Sequence, residues 1–255
     1  LLVTPSFLLY SSAQMADIPL SLYILTTVVL LQFAEAWPDV KSTMLALAGL
    51  STGFAAWTKN EGLLLVIAVF VSHWISLALI PAWRGYRKHV LRFSLGLAPI
   101  LILIVSFKVF LAPPSDIPLN MAAVERMTHV ERYRQIVSAF VSHFWTFGNA
   151  AEAGGTNPGI LMMLYLLLYR SRVRKVSVTS LSLLLLPVLM LCGYFMVYVI
   201  TPHPLQEHLA SSLDRLLLQL WPACIFALAV VPISMSADRS EINVEREHGT
   251  LIASQ

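Results

Sequence analysis

Charge is what this sequence has least of. Of its 255 residues, 12% are Asp, Glu, Lys or Arg, against about a quarter in an ordinary soluble domain. Hydrophobic residues make up 57% and the mean hydropathy is +0.74. That balance excludes a soluble globular chain and points to an integral membrane protein. Cysteine is also scarce. Cys192 and Cys224 both lie inside apolar runs, which leaves no disulfide framework and no thiolate metal spacing, and reads as two small core residues. No helical-repeat period or low-complexity tract stands out. The net charge of +3 and pI near 9.0 do not point to nucleic acid, because the basic residues gather in two short loops and no nucleic-acid motif is present. Leu1 opens inside an apolar stretch with no charged segment and cleavage site before it, so the sequence is expected to be a fragment lacking its N-terminal part.

What is present is a series of apolar runs. A spanning helix needs about 20 mostly apolar residues. Runs at 18–36, 43–58, 63–80, 93–112, 159–169, 178–200 and 217–235 meet or approach that length. The expected fold class is therefore all-α, a polytopic transmembrane helical bundle of about seven spans plus an N-terminal stub at 1–12. Residues 1–236 form the membrane domain, and 237–255 form a cytoplasmic tail of mixed charge that is expected to be disordered.

Loop charge sets the orientation. "PAWRGYRKHVLR" (81–92) holds Arg84, Arg87, Lys88 and Arg92 without an acid, and "RSRVRK" (170–175) holds Arg170, Arg172, Arg174 and Lys175 without one. Two runs separate these loops, so both fall on one side, the cytoplasmic one. The outer side then receives Asp17, the "TKNEG" turn (58–62), the loop 113–157 and "TPHPLQEHLASSLDR" (201–215). Trp37, Trp57, Trp83 and Trp221 stand at run ends, as an interfacial aromatic belt requires, whereas Trp74 lies mid-run and reads as packing. Within the long outer loop, Met121, Val124, Met127, Val130, Tyr133, Ile136, Val137, Phe140, Val141 and Phe144 recur mostly at spacings of three and four. That is one apolar helical face. Glu125, Arg126, Glu131, Arg132 and Arg134 take the other faces, which predicts an amphipathic helix lying along the outer membrane surface.

The outer face also collects Asp17, Lys59, Glu61, His203, Glu207, His208, Asp214 and Arg215. Ionisable groups at membrane depth are expensive and point to function by default. Each has a plainer reading. Asp17 in "ADIP" suits a helix N-cap with Pro19 in the first turn, Lys59 and Glu61 suit a solvated turn, and Asp214 with Arg215 suits an interface anchor. In "HPLQEH" the histidines are five apart with Pro204 between them, which departs from the helical zinc signature, so no metal site is expected. Lys108 near a run end reads as a snorkelling side chain, and "GLSTG" (49–53) as a close helix contact.

"PSFLLYSSAQMADIPLSLY", "GFAAWTKNEG" (53–62) and "DRLLLQLWP" (214–222) in that order resemble the multi-spanning GT-C glycosyltransferases, especially the bacterial relatives of protein mannosyltransferases and the aminoarabinose transferase. The resemblance covers most of 1–222. It implies an enzyme of a bacterial inner membrane that moves a sugar from a polyprenyl-phosphate carrier to a glycan, lipid or protein acceptor on the periplasmic face. It implies Asp17 as a catalytic carboxylate, Lys59 and Arg215 as donor-phosphate ligands, and Glu61 and His208 as substrate contacts; the cofactor is unknown, with a divalent metal left open though the sequence does not indicate one. The family's principal acid lies in a first outer loop that would precede Leu1, so this stretch alone is expected to be inactive. A transporter or flippase would instead carry midplane charges and broken helices. A noncatalytic scaffold would tolerate replacement of Asp17, Lys59 and Arg215. The orientation is testable. Single cysteines at Ser115 and Gln206 should react with an impermeant thiol reagent added outside, and one at Ser171 should not; outside labelling at Ser171 reverses the topology.

Overall fold

A computed structural model describes residues 8, 10, 11, 15–80, 86–112, 121–146, 163, 164 and 177–252, with side chains described as far as Ala229. Every element among them is helical: α1 (Asp17–Ala36), a 3-10 turn (Pro38–Val40), α2 (Lys41–Thr58), α3 (Asn60–Leu79), α4 (Tyr86–Phe110), α5 (Met121–Thr128), α6 (Val130–Thr146), α7 (Val178–Ile200) and α8 (Leu205–Ile252). Among the described residues, five helices are long and apolar enough to cross a membrane: α1, α3, α4, α7 and the Leu205–Ala229 part of α8. The run 43–58 falls in α2, whose Gly49, Ser51, Thr52 and Gly53 make it less apolar. Apart from Met163 and Leu164, the run 159–169 lies outside the described residues, as do Trp83 and the basic segment 170–175.

The helices close a ring. α1 packs on α2, α2 on α3, α3 on α7, α7 on α8 and α8 on α1, while α4 lies outside against α2. Leu20, Ile24, Leu65, Leu183, Leu186, Met190 and Leu213 fill the interior. Large apolar side chains also cover the outside, including Ile67 on α3 and Ile102 and Phe110 on α4. That inside-and-outside apolarity suits a hydrocarbon surrounding rather than water. Trp74, expected as packing, is 61% exposed on this outer surface, and Trp221, expected in an interfacial belt, is buried. Cys192 is exposed rather than in the core, and Cys224 is partly buried. Helical rotation decides each of these positions, and a run that is apolar on every side conceals it.

The largest difference from the sequence reading is the start of α8. Helix begins at Leu205, so most of the supposed outer loop 201–215 forms its opening turns. The cause is readable in retrospect: Leu205, Leu209, Leu213 and Leu216 lie at helical spacing and all are buried. α8 also runs on to Ile252, into the segment for which disorder was expected.

Two helices, not one, occupy the amphipathic stretch, parted at His129. Ile136 is fully buried, and the Phe140 ring lies 6.0 Å from Phe195 and 6.1 Å from Tyr198. Arg126 and Arg132, expected on the polar faces, do structural work here. The last carbonyls of a helix lack intrahelical donors. Arg126 Nε donates to the Ile200 carbonyl at 2.9 Å, and Arg132 Nη2 donates to those of Tyr198 at 2.9 Å and Thr201 at 3.1 Å. Burial and the adjacent Arg126 guanidinium pull the Arg132 pKa below its ordinary value.

Small residues set how closely α2 and α4 approach. A Cβ on Gly49 would strike the Phe93 carbonyl oxygen, and one on Gly96 would strike that of Ala46. The "GLSTG" motif is thus a close contact with α4, through main chain at Gly49 and against the Ile100 side chain at Gly53, as close helix packing predicts. In an exposed helix, Gly→Ala gains up to about 1 kcal/mol. Here Gly96→Ala should reverse that sign and destabilise by about 1–3 kcal/mol, read from unfolding of the detergent-solubilised chain in SDS.

Candidate ion cluster at the start of α1

Residues far apart in sequence meet where α1 begins. The residue capping α1 is Ala16, and no side chain caps that terminus. Asp17 is therefore not the N-cap that "ADIP" suggested; it sits in the first turn, where a negative charge suits the helix dipole. Its carboxylate turns inward and is 2% exposed.

Lys59 is the one residue between α2 and α3. Its backbone is extended, at φ −155° and ψ 161°, and its carbonyl accepts from the Gly62 amide at 3.0 Å. Gly62 is required at this tight corner, because a Cβ there would strike the Ala55 carbonyl. The corner aims Lys59 Nζ at Asp17 Oδ1, 2.8 Å away, and leaves it 3.2 Å from Glu61 Oε1. The pair whose plainer reading was a solvated turn forms one arm of the cluster.

The other arm comes from α8. Arg215 Nε lies 3.7 Å from Asp17 Oδ2. One turn further on, Gln219 Nε2 donates to Asp17 Oδ1 at 2.5 Å, and Gln219 Oε1 accepts from the Tyr194 hydroxyl of α7 at 3.0 Å. Gln219 and Tyr194 are both fully buried. Neither was singled out from the sequence. The available signal was a lone amide in "RLLLQLWP", four residues after Arg215 and thus on the same helix face.

Of the expected site residues, Asp17, Lys59 and Arg215 come together, and Glu61 joins through Lys59. His208 does not. Its Nδ1 lies 3.1 Å from Thr201 Oγ1, and its ring stands edge-on to Tyr198 at 5.0 Å. Asp214 does not pair with Arg215 as an anchor either, since its Oδ1 lies 2.7 Å from His143 Nδ1 on α6. Lys108 donates to Asn60 Oδ1 at 3.0 Å rather than merely reaching for water. Among the described residues, no three His, Cys, Asp or Glu side chains group as a metal site would need.

Chemically, the cluster is one buried carboxylate facing two cations, with a second carboxylate, Glu61, on Lys59. Asp17 Oδ1 takes both short hydrogen bonds, and Oδ2 has only the longer contact with Arg215. Arg215 Nε makes no hydrogen bond among the described residues. Lys59 and Arg215 keep 22% and 32% of their side chains exposed.

Compared with protein-family models, curated proteins and solved structures, the chain matches none.

The Tyr194–Gln219–Asp17 relay predicts energetic coupling. Gln219→Leu should destabilise by about 1–3 kcal/mol, because it leaves the buried Tyr194 hydroxyl without its acceptor and removes one of the two short hydrogen bonds to Asp17. Tyr194→Phe should cost less in that background than in the wild type, since contacting residues are not additive. Strictly additive effects in SDS unfolding would break the relay.

Proposed function

We propose that this chain belongs to a membrane glycosyltransferase of GT-C type, which moves a sugar from a polyprenyl-phosphate carrier to an acceptor at the outer face of a bacterial inner membrane. The observation that carries the reading is the convergence of Asp17, Lys59 and Arg215 from three parts of the bundle. A lipid-linked donor has a chain in the bilayer and a phosphate at the level of span ends. Lys59 supplies a point charge and Arg215 a planar fork for phosphate oxygens. The carrier phosphate leaves with its negative charge, which the same cations stabilise. Asp17 Oδ2, the less occupied oxygen, accepts the hydrogen bond of the acceptor hydroxyl and orients it or helps remove its proton. Glu61 tunes Lys59 from its far side.

In this reading α5 and α6 lie along the outer membrane surface, with Val130, Val137 and Val141, all exposed, turned to lipid. Ile136 and Phe140 hold them down over the cluster, so the pair can exclude water from it. The seven-span bundle follows if α2 and the run 159–169 also cross.

One observation favours a second reading, a scaffold in which the cluster only locks helices together: the Asp17 carboxylate is almost wholly enclosed by its own partners. The two readings separate in the intact protein. Asp17→Asn keeps the shape and both short hydrogen bonds but removes the charge, and turnover should fall roughly 10²-fold or more. Lys59→Met and Arg215→Met should weaken use of the lipid-phosphate donor by about 10- to 100-fold, the worth of a charge-assisted contact. Normal transfer by well-folded Asp17→Asn would leave the lock and remove the catalysis.

A further inference from the structure

A second polar cluster lies at the opposite end of the same helices. Asp17 and Glu35 bracket α1, roughly 27 Å apart at 1.5 Å per residue. At the Glu35 end, α1, α2, α3, α4 and α7 enclose a cavity of about 70 Å³. Its deep wall is apolar, made by residues such as Leu45, Phe70, Phe93 and Leu186. Glu35, Lys41, His73 and His89 line it as well. The His73 ring stacks on Tyr86 with centroids 5.5 Å apart, and its Nδ1 lies 3.3 Å from Ser182 Oγ.

The decisive feature is an omission between neighbours. Glu35 and Lys41 carry opposite charges on one cavity, yet among the described residues neither makes an ion pair, with the other or with any third group. Opposite charges left apart at a membrane surface suit a ligand with both signs. A purely anionic head would meet Glu35 unfavourably, and a purely cationic one would meet Lys41 in the same way.

We infer that this cavity binds the head group of a zwitterionic phospholipid carrying a primary amine, its phosphate on Lys41 and His89 and its ammonium on Glu35. The size agrees. A space of this volume takes only a few water-sized groups, enough for a small head but not for acyl chains, which run outside over the apolar helix faces. The chemistry also discriminates. A primary ammonium offers three N–H donors to a carboxylate, whereas a choline head offers none and adds three methyl groups. Basic pockets between helices near the cytoplasmic face commonly hold lipid phosphates; here the carboxylate adds selection for the amine. This inference is independent of the sugar-transfer reading.

Native mass spectrometry of the full chain, purified in detergent and offered one lipid at a time, tests it. Phosphatidylethanolamine should be retained about tenfold better than phosphatidylcholine or phosphatidylglycerol. Glu35→Gln should erase that preference, and Lys41→Gln should weaken retention of all three. Glu35 is exposed and Lys41 only partly buried, so both variants should fold. Equal retention of the three lipids by the wild type overturns the proposal, and so does unchanged selectivity in Glu35→Gln. Glycerophosphoethanolamine, the same head without chains, should not displace the lipid at equal concentration. Displacement would make the occupant a soluble zwitterion and overturn the lipid assignment.

Discussion

A buried carboxylate in a membrane bundle has to be answered by other side chains, and Asp17 is answered from every direction the ring provides. Lys59 reaches it from the corner between α2 and α3, Arg215 and Gln219 reach it from α8, and Tyr194 supports Gln219 from α7. Losing the partners of such a group is strongly destabilising, although an ion pair once formed adds little net stability. Its contribution to folding is therefore to specificity more than to net stability: it ties the start of α1 to the corner between α2 and α3 and to one face of α8.

Backbone contact does the complementary work away from that end. Gly49 and Gly96 let α2 and α4 approach until main chain meets main chain. The hydrophobic effect gives little preference between helices once both are in hydrocarbon, so close packing and polar contacts decide association. α4, whose outer face is widely exposed, is held to the ring largely by this seam. The two arginines capping α7 supply a third kind of constraint, joining α5 and α6 to the end of that helix.

Sequence and structure agree where the physics is one-dimensional. Long apolar runs predicted α1, α3, α4 and α7, because length and hydropathy suffice for that. Charge scarcity placed Asp17, Lys59 and Arg215 on one face and the family resemblance singled them out of it; scarcity alone did not suffice, since His208 and Asp214 were placed on the same face and pair elsewhere. Rotation was not legible. Trp74 and Trp221 exchange their expected environments, since an apolar side chain satisfies lipid and core alike. Gln219 was passed over because an amide in an apolar run carries no sign, and only its spacing from Arg215 marked it. The start of α8 was missed because Glu207, His208, Asp214 and Arg215 read as loop chemistry, while the leucines that make the segment helical were hidden between them.

The partners of Asp17 also appear in a fixed order as the chain is made. Lys59 follows it by 42 residues and Gln219 by 202. At about 5–20 residues per second, Lys59 leaves the ribosome within seconds of Asp17, while Gln219 trails Lys59 by roughly 8 to 32 seconds. During that interval Lys59 is the one cation of the cluster already made. The corner between α2 and α3 thus carries the first partner the acid can meet, and α8 brings Arg215 and Gln219 only afterwards.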